Sequence, residues 1–141
     1  MENFLLKLKP FDKITFPKPI PGNVTSESRL LIKNNGHERV AVKIKCTNNK
    51  MFKISPVFSS ADVGEARLIR LIFITENDVP MDGKHHFSIH VVPSPESETV
   101  CEAFNSEKGK NPLTIRIPIF FEKKFKRSNT EEKITYLYNE L

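Results

Sequence analysis

VAVKIKCTNN, from Val40 to Asn49, carries the pattern of a strand with two unlike faces, and GKHHFSIHVV, from Gly83 to Val92, repeats it. Val40, Val42, Ile44 and Cys46 alternate with Ala41, Lys43, Lys45 and Thr47, the period-two signature of a strand buried on one side and wet on the other. In the second stretch Phe87, Ile89 and Val91 turn inward. The wet side of the first strand bears lysines and a hydroxyl. Such a surface suits an acidic partner and lacks the groups that catalysis requires.

The flanking sequence continues in the same period. Ile14 and Phe16 form a short strand before Pro17, Pro19 and Pro21, which hold the chain extended and unpaired because proline fixes φ and has no N–H. Leu30 and Ile32 point inward from a strand over Ser28 to Lys33. Asn34-Asn35-Gly36 then reads as a tight turn, so this strand and Val40 to Thr47 are expected to form a hairpin. Further strands are predicted at Phe52 to Ser55, stopped by Pro56, and at Ala66 to Ile74, where Ile69, Leu71 and Phe73 share a face interrupted by Arg67 and Arg70. Ser59-Ser60 followed by Asp62 reads as a turn. Leu113, Ile115, Ile117, Ile119 and Phe121 form the last strand, and its Pro118 predicts an edge position or a bulge. These are about seven short strands at the spacing of an all-β two-sheet sandwich.

Two segments differ in kind. Pro93 to Pro112 is rich in Ser, Glu and Lys and reads as a long mobile loop. At the C-terminus, Ser128 or Thr130 can cap a helix, and Ile134, Leu137, Tyr138 and Leu141 form one apolar stripe at i, i+3, i+4 and i+7. A helix of about a dozen residues is marginal alone in water, so this stripe is expected to dock on the sandwich or on another chain.

With 141 residues, the chain is long enough for one domain with its own core, and 11 phenylalanines against no tryptophan predict a phenylalanine-packed interior. A net charge of +5 favours acidic partners. Near the N-terminus Phe4, Leu5, Leu6 and Leu8 are interrupted by Lys7 and Lys9, and no apolar run reaches the roughly 20 residues of a membrane span. Without a leader, Cys46 and Cys101 are expected as thiols in a reduced compartment, and the Asn23-Val24-Thr25 sequon as idle, in a cytoplasmic protein.

Few residues are spaced for chemistry. His86 and His90 share a strand face, but four residues of strand separate them by roughly 13 Å, beyond the reach of ligands that must lie about 2 Å from one zinc. No metal or other cofactor is therefore expected. There is no glycine-rich phosphate loop, no nucleophile elbow and no facing acid and base, which argues against an enzyme. Phe120 to Arg127, FFEKKFKR, interleaves rings with cations, yet it reads as a strand end followed by a basic linker, and no nucleic acid partner is expected.

PFDKITFP from Pro10, the Ser28 to Asn34 strand, VKIKCTNN, Ile54-Ser55-Pro56 and GKHHFSIH occur in the order seen in the major sperm protein domain family, which this chain resembles from about Phe11 to Phe121. The resemblance implies an immunoglobulin-like seven-stranded β-sandwich. Residues 1–10 would then be an N-terminal extension, 11–122 the domain with 93–112 inserted, and 123–141 a basic linker with a short helix. Nematode sperm members of the family assemble into dimers and filaments, whereas VAMP-associated members bind acidic peptides with paired phenylalanines. The counterpart of that peptide groove would use Lys43, Lys45, Thr47 and Asn48, with Lys84, His86 and Ser88 on the neighbouring strand. The family's tethering members usually carry lysine and methionine where this chain has His86 and Ser88. The leading expectation is a non-enzymatic assembly module, self-associating or acting as an accessory of the nematode sperm cytoskeleton, with the tail stripe making contacts. The alternative is an adaptor for acidic diphenylalanine peptides.

Overall fold

The structure is a computed structural model that describes residues 6–123. Nine strands are present among them rather than seven: β1 (Leu6–Lys9), β2 (Ile14–Phe16), β3 (Thr25–Asn34), β4 (Val40–Cys46), β5 (Phe52–Ser55), β6 (Phe58–Ala61), β7 (Ala66–Ile74), β8 (His86–Pro93) and β9 (Leu113–Phe121). They form two sheets, one in the order β1-β3-β7-β5 and the other β2-β9-β8-β4-β6. All pairings are antiparallel except β2 with β9. This is the expected all-β immunoglobulin-like sandwich, and the two extra strands are short ones. Residues 6–9, assigned to the extension, pair with β3, and Leu6-Lys7-Leu8-Lys9 alternates as an edge strand should. Ser59-Ser60 lies within β6 opposite Ala41 and Val42, so the turn comes later, at Asp62 to Glu65, where the Glu65 N–H donates to the Asp62 carbonyl.

The alternating apolar residues of both sheets meet in one core. Phe16, Phe52, Phe73 and Phe87 are fully buried, and Phe121 is nearly so. Phe16 stacks on Phe121 at 5.3 Å between centroids, while Phe73 meets Phe121 edge-on at 4.7 Å. Such offset and edge contacts add to the stabilisation from burial alone. No tail helix can be assigned, because Ile134, Leu137, Tyr138 and Leu141 lie outside the described residues.

Two connections depart from expectation. β3 and β4 are not a hairpin: they belong to opposite sheets, and the Asn34 to Arg39 segment crosses between them. The cause is Asn34, fully buried, whose Nδ2 donates to the carbonyls of Glu38 at 2.8 Å and Ala61 at 3.0 Å while its Oδ1 accepts from Gly36 N. A side chain satisfying the backbone in this way stabilises an arch instead of a tight turn. Nor is β9 an edge, since it lies between β2 and β8. Pro118 is tolerated because β2 pairs only from Ile119 onward, so no neighbouring strand requires a donor from Pro118.

The insertion is not an open loop. It contains α1 (Val100–Asn105) and a short 3-10 turn (Glu107–Lys110). Thr99 caps α1 in a reciprocal box, its hydroxyl accepting from Glu102 N while the Glu102 carboxylate accepts from Thr99 N. Ala103 is fully buried against Ala41 and Val92, with Val100 and Phe104 packed around them. Lys108 pairs with Glu98, and Arg39 Nη1 donates to the carbonyls of Ser94 at 2.9 Å and Pro95 at 3.2 Å. The segment is therefore folded onto the outer face of the second sheet.

Candidate functional site

Strand register decides which of the expected binding residues meet. Lys45 lies opposite Ser88 and Lys43 opposite His90, all on the outer face of the five-stranded sheet. Arg116 of β9 lies opposite Ser88 on its other side and extends the row. Thr47 follows β4: its N–H donates to the His86 carbonyl at 3.3 Å, and its hydroxyl lies 2.8 Å from His85 Nδ1. Lys43, Lys45, Thr47, His86 and Ser88 thus gather on adjoining strands.

Asn48 and Lys84 contribute less. The Asn48 side chain is committed to its own turn, where Oδ1 accepts from Lys50 N at 2.9 Å and Met51 N at 3.2 Å. Lys84 is exposed in the turn before β8, with its backbone N–H on Asp82 Oδ1.

The face is electropositive for want of acids. Among the described residues no ion pair joins a carboxylate to Lys43, Lys45 or Arg116. His90 registers that field: burial, followed by Lys45, Lys43 and Arg116, holds its imidazole below the usual value of 6.5. Lys43 Nζ sits 5.2 Å from the Phe58 ring centroid, a cation–π contact that keeps the ammonium at the sheet surface.

Two hollows adjoin this row. One, of about 570 Å³, runs beside β4 toward the other sheet and is lined by Ile44, Cys46, Phe52, Ile54 and Val57 with Lys43, Lys45 and Lys53 at its rim. It opens where the cover of that β4 edge ends: β6 pairs with Val40 to Lys43, and the last contact beyond it is Ile44 N–H donating to the Val57 carbonyl at 2.9 Å. The other, of about 140 Å³, lies between the sheet and the insertion, lined by Lys43, Lys45, Phe58, His90, Cys101, Phe104 and their neighbours. Sequence reasoning did not assign His90, Arg116 or Phe58 to the site. The first two were legible as outward positions of their strands, whereas Phe58 and Phe104 meet, at 6.0 Å between centroids, only through the fold of the insertion.

Cys46 and Cys101 are free thiols, and burial raises the Cys46 pKa. No group of three or more metal-ligating side chains occurs among the described residues. No helix among them is long and apolar enough to cross a membrane.

The family model described as the MSP (Major sperm protein) domain matches residues 5–112. The Caenorhabditis elegans protein ZK688.12 is 34% identical over 119 residues, covering 82% of this chain and 68% of that protein. Among solved structures, SSP-19, an MSP-domain-like protein of C. elegans, superposes with a TM-score of 0.63 at 24% identity, covering 79% of this chain and 94% of that one. WR4, an MSP family member of C. elegans, gives a TM-score of 0.62 at 18% identity over 83% of this chain and 97% of that one.

Proposed function

The chain belongs to the major sperm protein domain family, and on that premise we propose that it works without catalysis, as a protein-interaction module whose basic outer face receives an acidic segment of a partner. The observation that carries this reading is the register that aligns Lys43 with His90 and Lys45 with Ser88 and Arg116, with no carboxylate among the described residues paired to Lys43, Lys45 or Arg116. Like charges gathered on a sheet face raise the energy of the free protein and are relieved by an anionic partner. The apolar hollow beside β4 supports the finer form of the proposal, in which the acidic segment carries paired phenylalanines and one ring enters between Ile44, Phe52 and Ile54. Thr47, His86 and Ser88 supply hydrogen-bonding groups along the way, and Lys84 stands at the end of the face. The test is calorimetric titration with an acidic diphenylalanine peptide. Affinity should fall at least tenfold with Lys45→Glu and should weaken as salt rises. Affinity indifferent to both would reject the face.

A second reading is self-association into an assembly of the nematode sperm cytoskeletal type, in the cytoplasm. Strand edges favour it: β1 and β5 bound one sheet, and β2 and β6 the other. In this reading the stripe of Ile134, Leu137, Tyr138 and Leu141 docks between copies. Sedimentation velocity over a concentration series tests it, with mass rising beyond the monomer expected for the full chain and lost when residues 134–141 are deleted. A monomer at every concentration would exclude it.

A further inference from the structure

The outer face of the four-stranded sheet takes no part in that proposal. Leu30, Ile32, Ile69 and Leu71 are buried in the core, and alternation along β3 and β7 turns Arg29, Leu31, Lys33, Leu68 and Arg70 to the other side. Register sets these side chains in rows. Lys7 lies opposite Lys33, and Lys9 opposite Leu31, across β1 and β3. Across β3 and β7, Leu31 lies opposite Leu68 and Arg29 opposite Arg70. Lys53 of β5 lies opposite Ile72 of β7. Whereas α1 packs on the five-stranded sheet, all six of these cations are exposed.

One sign dominates the face. Glu27 is the single carboxylate on these rows, and two arginines share it: Oε1 accepts from Arg70 Nη2 at 2.6 Å, and Oε2 lies 3.5 Å from Arg29 Nε. Among the described residues no ion pair joins a carboxylate to Lys7, Lys9, Lys33 or Lys53. Four strands about 4.8 Å apart span roughly 14 Å, so neighbouring cations lie within about one Debye length and their fields add. Between the lysine rows and the arginine row stand Leu31 and Leu68, 37% and 49% exposed. These rows carry no aromatic ring on which a base could stack. A partner that offers phosphates to the rim and hydrocarbon to the two leucines matches both features, and an interfacial lipid surface presents them together.

We propose that the outer face of the four-stranded sheet is a docking surface for an anionic lipid bilayer, with Lys7, Lys9, Lys33, Arg29 and Arg70 on the headgroups and Leu31 and Leu68 entering the interface. The face lies on the opposite side of the sandwich from Lys43 and Lys45. A chain docked in this way leaves its other basic face open to an acidic segment, so one molecule can bridge a membrane and a protein. The docking does not require that second contact.

The experiment is co-sedimentation of the full chain with vesicles of phosphatidylcholine alone or mixed with phosphatidylserine, at low and at physiological salt. The expected result is binding that needs phosphatidylserine, weakens with salt and falls at least tenfold when Lys7→Gln, Lys9→Gln and Lys33→Gln are combined. Leu31→Ser with Leu68→Ser leaves the charge unchanged and should still weaken binding severalfold. These five positions are exposed, so the variants keep the fold. Lys45→Glu, on the opposite sheet, should leave vesicle binding within about twofold. The triple lysine variant should still bind the acidic peptide, which keeps the two faces distinguishable. Equal pelleting with phosphatidylcholine alone, or vesicle binding unchanged in the triple variant, overturns the proposal. A single-stranded oligonucleotide bound as tightly as the vesicles, and indifferent to the leucine changes, would assign the face to nucleic acid and overturn it as well.

Discussion

Asn34 is fully buried, and its amide joins the Glu38 and Ala61 carbonyls to the Gly36 N–H. Truncation leaves these backbone groups unsatisfied away from water, at about 1–3 kcal/mol for each group that finds no substitute. Asn34→Ala should therefore lower unfolding stability by roughly 2–3 kcal/mol in urea, whereas Asn35→Ala should change it by less than about 0.5 kcal/mol. Equal effects would remove Asn34 from its bridging role. The sequence marks Asn34-Asn35-Gly36 as a turn, but the same letters serve a hairpin and an arch, and only burial of the amide tells them apart. His90 poses a comparable problem. Its outward position follows from the period-two pattern, but the depression of its pKa depends on lysines and an arginine that register brings alongside. Because the folded value lies below 6.5, the unfolded chain takes up the proton first on acidification. This residue therefore makes stability rise with pH between the folded value and 6.5, and contributes nothing further above that. Urea midpoints measured across that window should depend less on pH in His90→Asn. An unchanged slope would contradict the assigned direction.

At the scale of elements, the strands were readable wherever buried and exposed residues alternate over several positions, as in β3, β4, β7, β8 and β9. β6 was missed because Phe58-Ser59-Ser60-Ala61 is short and two adjacent serines look like a turn, although pairing with β4 needs only their backbone. The insertion was missed because polar composition outweighed two local signals. Thr99 followed by Glu102 is a capping box, and Val100, Ala103 and Phe104 fall at i, i+3 and i+4 on one face. Six residues of helix are not stable alone, so α1 depends on its cap and on contact with Ala41 and Val92. Thr99→Ala should weaken it by about 1 kcal/mol. Amide exchange should then accelerate over residues 100–105 while β8 and β4 keep their protection. Uniform acceleration would show that α1 and the sandwich open together, and no change would show that the cap contributes nothing.

For the whole molecule, the two-sheet architecture was legible because one side of nearly every strand is apolar and the resulting faces must be buried against each other. The basic face was legible in part. Lys43, Lys45, Thr47, His86 and Ser88 do lie together, Asn48 is occupied by its turn, and the pairing of Lys43 with His90 needed the register between strands distant in sequence. The excess of cations over acids, +5 for the chain, takes on a local meaning where Lys43, Lys45 and Arg116 come together on one sheet face. The most direct test of that surface is NMR shift mapping of the full chain with an acidic diphenylalanine peptide, carried out at low and at physiological salt. Shifts concentrated on Lys43 to Thr47 and His86 to His90, diminished by salt and abolished by Lys45→Glu, are the predicted result. Shifts confined to the four-stranded sheet, or a Lys45→Glu protein that binds as tightly as the original, would contradict the account.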